Sequence, residues 1–146
     1  MSFLPWQSKV RGMVILVALL PCAFSAGCSP SKAKAAAESG VARFHAQLDA
    51  EQYHDIYAQA SPEFQSAEKE ADLTEFLAAV HRKLGKLRHC EEQNFNVNFN
   101  TSGTSVALTY QSNFENGPAR EQFVWRAGDQ AQLINYRIDS RTLITK

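Results

Sequence analysis

This chain of 146 residues has few cysteines, no excess of positive charge and only short apolar runs. It contains three cysteines, and its 15 basic and 15 acidic side chains give a formal net charge of zero. Such a balance lacks the basic surface that nucleic-acid binding needs, so we expect no nucleic-acid partner. Every apolar run is shorter than the roughly 20 residues of a transmembrane helix, so none is expected to span a bilayer.

A short apolar run near the start has the layout of a secretory signal peptide. Lys9 and Arg11 precede it, the run covers residues 13–24, and small residues follow. As a helix it would be about 18 Å long, against about 30 Å for a bilayer core. Basic residues, a short apolar core and small residues are typical of exported proteins. We therefore expect residues 1–27 to be a signal peptide.

The leader ends in Ala26-Gly27-Cys28, which resembles the lipobox of bacterial lipoproteins. The resemblance implies that Cys28 is acylated, becomes the first mature residue and anchors the chain in a membrane. Two or more acyl chains hold a protein stably, whereas one binds only marginally. Ser25 stands where the lipobox usually has leucine. Plain secretion with Cys28 unmodified, and retention of an uncleaved anchor, are the alternatives.

The residues after the leader predict the location and the domain boundary. In lipoproteins of enteric type, aspartate after the lipidated cysteine implies retention in the inner membrane. Ser29 occupies that position here, so we expect the outer membrane, with the domain facing the periplasm. Residues 28–34 are expected to be the lipidated terminus and a polar tether, and residues 35–146 a single domain. Cys90 is the one cysteine of that domain, which predicts a buried, unreactive thiol and no internal disulfide.

The first half of the domain has helical periodicity. Apolar residues recur three and four positions apart over residues 33–48, 50–60 and 73–84,. Asp49 and Asp72 have the spacing of capping boxes, so they predict helix starts. Ser61, which precedes a proline, predicts another start, and Gly85 predicts a helix end. The last inner stripe is expected to include Phe76.

The periodicity becomes alternating after Gly85, which predicts four antiparallel strands joined as a meander. Apolar residues expected on the inner face are Phe95, Val97, Phe99, Val106, Leu108, Tyr110, Phe123, Trp125, Ile134, Tyr136 and Ile138. Four asparagines alternate with the first of these: Asn94, Asn96, Asn98 and Asn100. We interpret them as a solvated outer face, with pairing to a partner's edge or binding of polar ligands as the alternatives. Helices followed by such a sheet predict an α+β fold, the helices covering the apolar face.

Several segments carry a resemblance to known families: Phe44, residues 53–57, 60–64, Leu84-Gly85, residues 102–104, 121–125 and 133–138. Their order is similar to the cone-shaped fold of cystatin-like and nuclear-transport-factor-like proteins. More narrowly, the chain resembles a group of small bacterial proteins without an established reaction, many of them lipoproteins. The shared residues are packing and turn motifs, so the resemblance implies a fold and no activity.

Candidate ligand-binding groups are few. Some members of this fold class are enzymes, such as ketosteroid isomerase, which place a tyrosine and carboxylic acids inside the cone. On the predicted inner faces the one acidic residue is Glu121, which lies near a hairpin end. The residues expected to line a ligand cavity are Tyr57, Tyr110, Trp125 and Tyr136. The alternative is that the tyrosines are buried and bonded to backbone or water.

The histidines and serines predict no catalytic or metal site. The four histidines are His45, His54, His81 and His89. No two of them have the i, i+4 spacing of a helical zinc site, so we interpret them as solvated or partly packed. We therefore expect no catalytic residue, no metal ligand and no cofactor.

These observations favour a non-enzymatic, membrane-tethered domain of the cell envelope that binds a partner protein or a small apolar ligand. One alternative is a small isomerase or hydratase acting on an apolar ligand, with Tyr57, Tyr110 or Tyr136 in its cavity. Another is an accessory subunit that forms a homodimer, or pairs with another chain, through its sheet.

Overall fold

The helices of the chain come first and the strands follow. The computed structural model describes residues 29–145, so the predicted signal peptide and Cys28 lie outside the described residues. The helices are α1 (Pro30–Asp49), α2 (Tyr53–Ala58), α3 (Pro62–Ala67), α4 (Glu70–Leu84) and α5 (Arg141–Ile144). The strands are β1 (Leu87–Asn100), β2 (Gly103–Phe114), β3 (Gly117–Arg126) and β4 (Gln132–Asp139). The predicted α+β class is confirmed.

The four strands form one antiparallel sheet in the order β1-β2-β3-β4, so each strand pairs with its neighbour in the chain. Leu108 of β2 lies opposite Phe123 of β3, and Val106 lies opposite Trp125. All four of these side chains are buried. The alternating pattern therefore produces one apolar face, and β1 and β4 are the two edges of the sheet.

Helix α1 packs on the apolar face through one stripe of side chains. Val41, Phe44 and Leu48 recur three and four positions apart, and all are buried,. Gly40 lies at the closest approach between helix and sheet, because a Cβ atom there would sit 3.0 Å from the Trp125 ring. The absence of a side chain at Gly40 therefore sets how near the helix comes to β3.

The helix starts predicted at Asp49 and Asp72 are wrong. Helix α1 continues through Asp49, and its carboxylate Oδ1 accepts a hydrogen bond from the Leu87 backbone N–H at 3.2 Å instead of capping α2. Helix α4 already begins at Glu70. Asp72 therefore lies in the first turn, where a negative charge is favoured by the helix dipole,.

The boundaries predicted at Ser61 and Gly85 hold, the helix predicted over residues 50–60 is the shorter α2, and the first helix is longer than expected. The Ser61 Oγ accepts the Phe64 backbone N–H at 3.2 Å, as an N-cap does, and Gly85 ends α4 with a φ of 74°. Helix α1 begins at Pro30, within the segment assigned to the tether, and Ser29 is its N-cap. None of the helices between residues 29 and 145 has the length and apolar character needed to cross a bilayer.

Several residues expected on the inner face are not buried. Phe76 is 41% exposed, and the phenylalanines at 95 and 99 are 50% and 59% exposed. A register shift beside Trp125 places Leu133 opposite that tryptophan, so Leu133 is buried where Ile134 was expected. The shift adds one residue to β4, and an extra residue reverses the alternation at that point.

Candidate functional site

A buried carboxylate with three hydrogen-bond donors lies between α1 and the sheet. Glu121 is fully buried. Its Oε2 atom is 2.9 Å from His45 Nε2 and also accepts a hydrogen bond from the Ser112 hydroxyl. Its Oε1 atom accepts a hydrogen bond from the Tyr136 hydroxyl at 2.8 Å. We call these four residues the Glu121 network.

Strand alternation and helix periodicity bring the network together. Glu121 lies two positions before Phe123 in β3, so the two side chains point to the same face,. Ser112 has the same relation to Phe114 in β2. His45 lies beside Phe44 on the buried stripe of α1. The network therefore joins the helix layer to the sheet across the core.

Hydrogen bonding keeps the buried carboxylate charged. Burial alone raises the pKa of Glu121, but the hydrogen bond and charge of His45 and the hydroxyls of Ser112 and Tyr136 outweigh it, so the net pKa is lowered,. Burial and the neighbouring carboxylate raise the pKa of Tyr136 well above its ordinary value. The interior therefore holds an ionised carboxylate and a neutral phenol that donates to it.

Aromatic rings enclose this network. The Phe44 ring lies 5.2 Å from the Phe123 ring and 4.6 Å from the Tyr136 ring, centroid to centroid. The His45 ring meets Phe123 edge-on at 5.7 Å. These edge-to-face and tilted contacts pack the rings closely,, so His45 and Tyr136 are held in their orientation toward the carboxylate.

The network as a whole was not predicted from the sequence. Glu121 was expected on the inner face of its strand, and it is buried there. The interpretation of His45 as solvated or partly packed is wrong, because its side chain is buried and bonded to Glu121. The signals were present in the sequence. Glu121 and Ser112 have the parity of the inner faces, and His45 lies four residues after Val41, within the helical stripe.

The four residues predicted to line one ligand cavity do not meet in one. Trp125 and Phe44 line a cavity of about 10 Å³, which is room for about one water molecule. The Tyr57 hydroxyl donates instead to the Gln65 carbonyl at 3.1 Å. Burial raises the pKa of Tyr110 to about 12, and Tyr136 belongs to the Glu121 network. Trp125 Nε1 is buried without a hydrogen-bond partner among the described residues.

The remaining reactive side chains do not form a centre. Among residues 29–145, no group of three His, Cys, Asp or Glu side chains is arranged to hold a metal ion. Cys90 is a free, half-buried thiol, and burial together with the charge of Glu121 raises its pKa. The exposed His54 lies 2.6 Å from Glu70, and this hydrogen bond raises the pKa of His54.

An exposed apolar strip lies on the edge strand β1. We call Phe95, Val97 and Phe99 the β1 strip. Val97 lies opposite Val106 of β2, so the strip belongs to the inner face, and the Lys34 ammonium of α1 reaches over the Phe95 ring at 4.8 Å. The alternating asparagines point to the other face and are exposed, as predicted. Large exposed apolar side chains in one row indicate an interaction surface.

This domain is of the α+β class. Its helices lie on one face of an antiparallel meander and cover the Glu121 network. Within that class, the family model described as "Protein of unknown function (DUF4019)" matches residues 41–135, more than half of the chain. The chain therefore belongs to the DUF4019 family. The matched residues extend from α1 to β4 and include the Glu121 network except for Tyr136. A search of curated proteins found no match.

Proposed function

We propose that this chain is a lipid-anchored interaction domain of the bacterial cell envelope, without enzymatic activity, which binds a partner protein through the free edge of β1. The observation that carries the proposal is the exposure of the β1 strip, since Phe95 and Phe99 are the two most exposed phenylalanines in the described core-facing strands. Exposed aromatic side chains of this kind are enriched at protein interfaces.

The edge of β1 supplies the second half of a binding surface. Strand β1 pairs with β2 on one side and with no other strand of the sheet. The other side presents backbone N–H and C=O groups that an added strand can bond, while side-chain pockets and rows give specificity. An extended segment of a partner protein would therefore gain both backbone hydrogen bonds and contacts with the β1 strip.

The Glu121 network supports a structural role for the interior. The carboxylate already accepts hydrogen bonds from three side chains of the same chain. Buried polar groups that are satisfied internally fix a unique arrangement of the core. We infer that the network holds α1 in register on the sheet, and that binding takes place outside, at β1.

The lipobox resemblance supports the membrane attachment. If Cys28 is the acylated first residue, helix α1 begins two residues later at Pro30. So short a link keeps the domain close to the membrane surface. The proposed location is the outer membrane, with the domain facing the periplasm. A domain anchored in this way would encounter partner proteins of the same membrane at a raised effective concentration, because both are confined to one surface.

Photo-crosslinking in intact cells tests the proposed surface. A benzoylphenylalanine replaces Phe95 or Phe99 in the full chain, and Arg137, which is exposed on β4, is the matched control position. We expect adducts of defined mass from positions 95 and 99 and none from 137. Equal adducts at all three positions, or none at 95 and 99, would contradict the proposal.

A second candidate is a small enzyme of the isomerase or hydratase type that acts on an apolar ligand. The convergence of Tyr136, His45 and the Glu121 carboxylate favours it, because such groups can move protons at an apolar site. Titration with 2-naphthol, followed by NMR of the aromatic side chains, tests this candidate. Saturable shifts of Tyr136 and Phe44 would support it, and unchanged spectra would oppose it.

A further inference from the structure

The segment that contains the β1 strip reads the same in both directions. Residues 94–100 are Asn-Phe-Asn-Val-Asn-Phe-Asn, with Val97 at the centre. Two strands that pair antiparallel run in opposite directions, so a palindromic segment can pair with a copy of itself with like residues at symmetric positions. A two-fold symmetric interface requires this self-complementarity.

We propose that the partner of the β1 edge is a second copy of this chain, paired antiparallel about Val97. In this register Val97 lies opposite Val97 of the other copy, and each Phe95 lies opposite a Phe99. Residues directly opposite each other in an antiparallel pair point to the same face, so the phenylalanines of both copies form one apolar row. The asparagines form a second row on the other face, and the two sheets become one.

The structure limits the pairing to this segment. At one end the register of β1 shifts between Glu92 and Asn94, and such bulges end regular pairing. At the other end the strand stops at Asn100, where the chain turns into β2. Residues 93–100 carry no charged side chain, so two copies meet without like charges opposite each other. Free edges of natural sheets usually carry such charges to prevent this pairing.

The size of the contact predicts a weak dimer. Seven residue pairs with four phenylalanines bury less than the roughly 1,200 Å² of a standard stable interface. In solution we therefore expect association only at high protein concentration. This inference rests on the proposed function, because two copies anchored in one membrane gain the effective concentration that such a contact needs.

Cysteine crosslinking tests the register. In a full chain that lacks Cys22 and Cys90 but keeps Cys28, a single cysteine replaces Val97, Phe95 or Phe99, and intact cells are treated with a short bismaleimide. We expect a crosslinked dimer from Val97→Cys. Phe95→Cys alone is the matched control, because the two cysteines then lie four residues apart across the interface. Co-expression of Phe95→Cys with Phe99→Cys restores the crosslink, and the parent chain gives the baseline.

A second measurement does not depend on crosslinking. Each dimer contains two Phe95–Phe99 pairs, so Phe95→Ser in the full chain should raise the dissociation constant about a hundred-fold, at about ten-fold per aromatic pair. Circular dichroism checks that the variant folds.

The outcomes separate this inference from the proposed function. A Val97→Cys adduct of twice the chain mass, with none from Phe95→Cys alone, supports self-pairing. An adduct between Val97→Cys and a different protein overturns self-pairing and leaves the proposed function standing. No adduct at any β1 position overturns self-pairing, and the photo-crosslinks from positions 95 and 99 then decide whether the proposed function stands. Equal homodimer adducts at every position indicate unspecific aggregation and overturn the register.

Discussion

Replacement of Glu121 by glutamine tests whether the buried charge holds the helix on the sheet. The substitution keeps the shape of the side chain but removes the negative charge that three donors share. The new amide group can accept at one end only, so one donor among His45, Ser112 and Tyr136 loses its acceptor. We expect the domain to fold and to be less stable.

The expected loss is about 2 kcal/mol of the free energy of unfolding. A hydrogen bond to a charged group contributes about 1 kcal/mol more than a neutral one, and three such bonds end on Glu121. Part of this is offset, because a neutral amide is less costly to bury than a carboxylate. At about 4 °C per kcal/mol for a domain of this size, the melting temperature should fall by about 8 °C.

The effect depends on pH in a defined direction. The pKa of folded Glu121 lies below its ordinary value of 4.5, so its ionised form contributes stability above that value. That stability is lost as the pH falls through the folded pKa. The difference in unfolding free energy between the two proteins should therefore be largest near neutral pH and should shrink toward about pH 3.

Urea denaturation at these two pH values, followed by tryptophan fluorescence, measures both effects. Glu91→Gln is the matched control, because Glu91 is exposed on β1 and its loss should change stability by less than about 0.5 kcal/mol. The reasoning is refuted if Glu121→Gln matches this control near neutral pH, or if its deficit grows as the pH falls.

Two further predictions concern other parts of the chain. Gly40→Ala should lower the melting temperature by about 4 °C, because its Cβ would meet the Trp125 ring at 3.0 Å, although alanine favours helices. Calorimetry measures the change, with Ser39→Ala at an exposed position as the control. A higher melting temperature for Gly40→Ala would contradict this account of the packing. Cys28→Ser should abolish labelling by a fatty-acid probe and leave a longer, unprocessed chain, and labelling that persists would remove the proposed anchor.

The arrangement of elements could be predicted because each depends on local patterns. The alternation after Gly85 predicts four strands, and the meander follows because short turns join antiparallel neighbours. The boundary at Asp49 could not be predicted, because its carboxylate bonds a distant backbone group at Leu87 instead of the helix that follows it. A capping motif shows only which nearby backbone groups a side chain can bond, and at Asp49 a tertiary contact replaces that local bond.

The site was harder to predict than the fold, for two physical reasons. Glu121 and His45 are 76 positions apart, and no local pattern shows that a buried acid will find a partner from another layer. Phe95 and Phe99 have the same alternation as buried residues, but their burial depends on whether a helix covers that end of the sheet. Parity identifies the face of a strand and gives no information about what lies above it.

The order of the strands has a consequence for how this domain is assembled. Every strand pairs with its successor in the chain, so the sheet can form from short-range contacts that close small loops. The docking of α1 is the long-range step, because Phe44 must reach Phe123 across the intervening helices and strands. We expect that step to come late, and with it the dehydration of the Glu121 carboxylate. We therefore expect changes at Glu121 to alter the unfolding rate more than the folding rate.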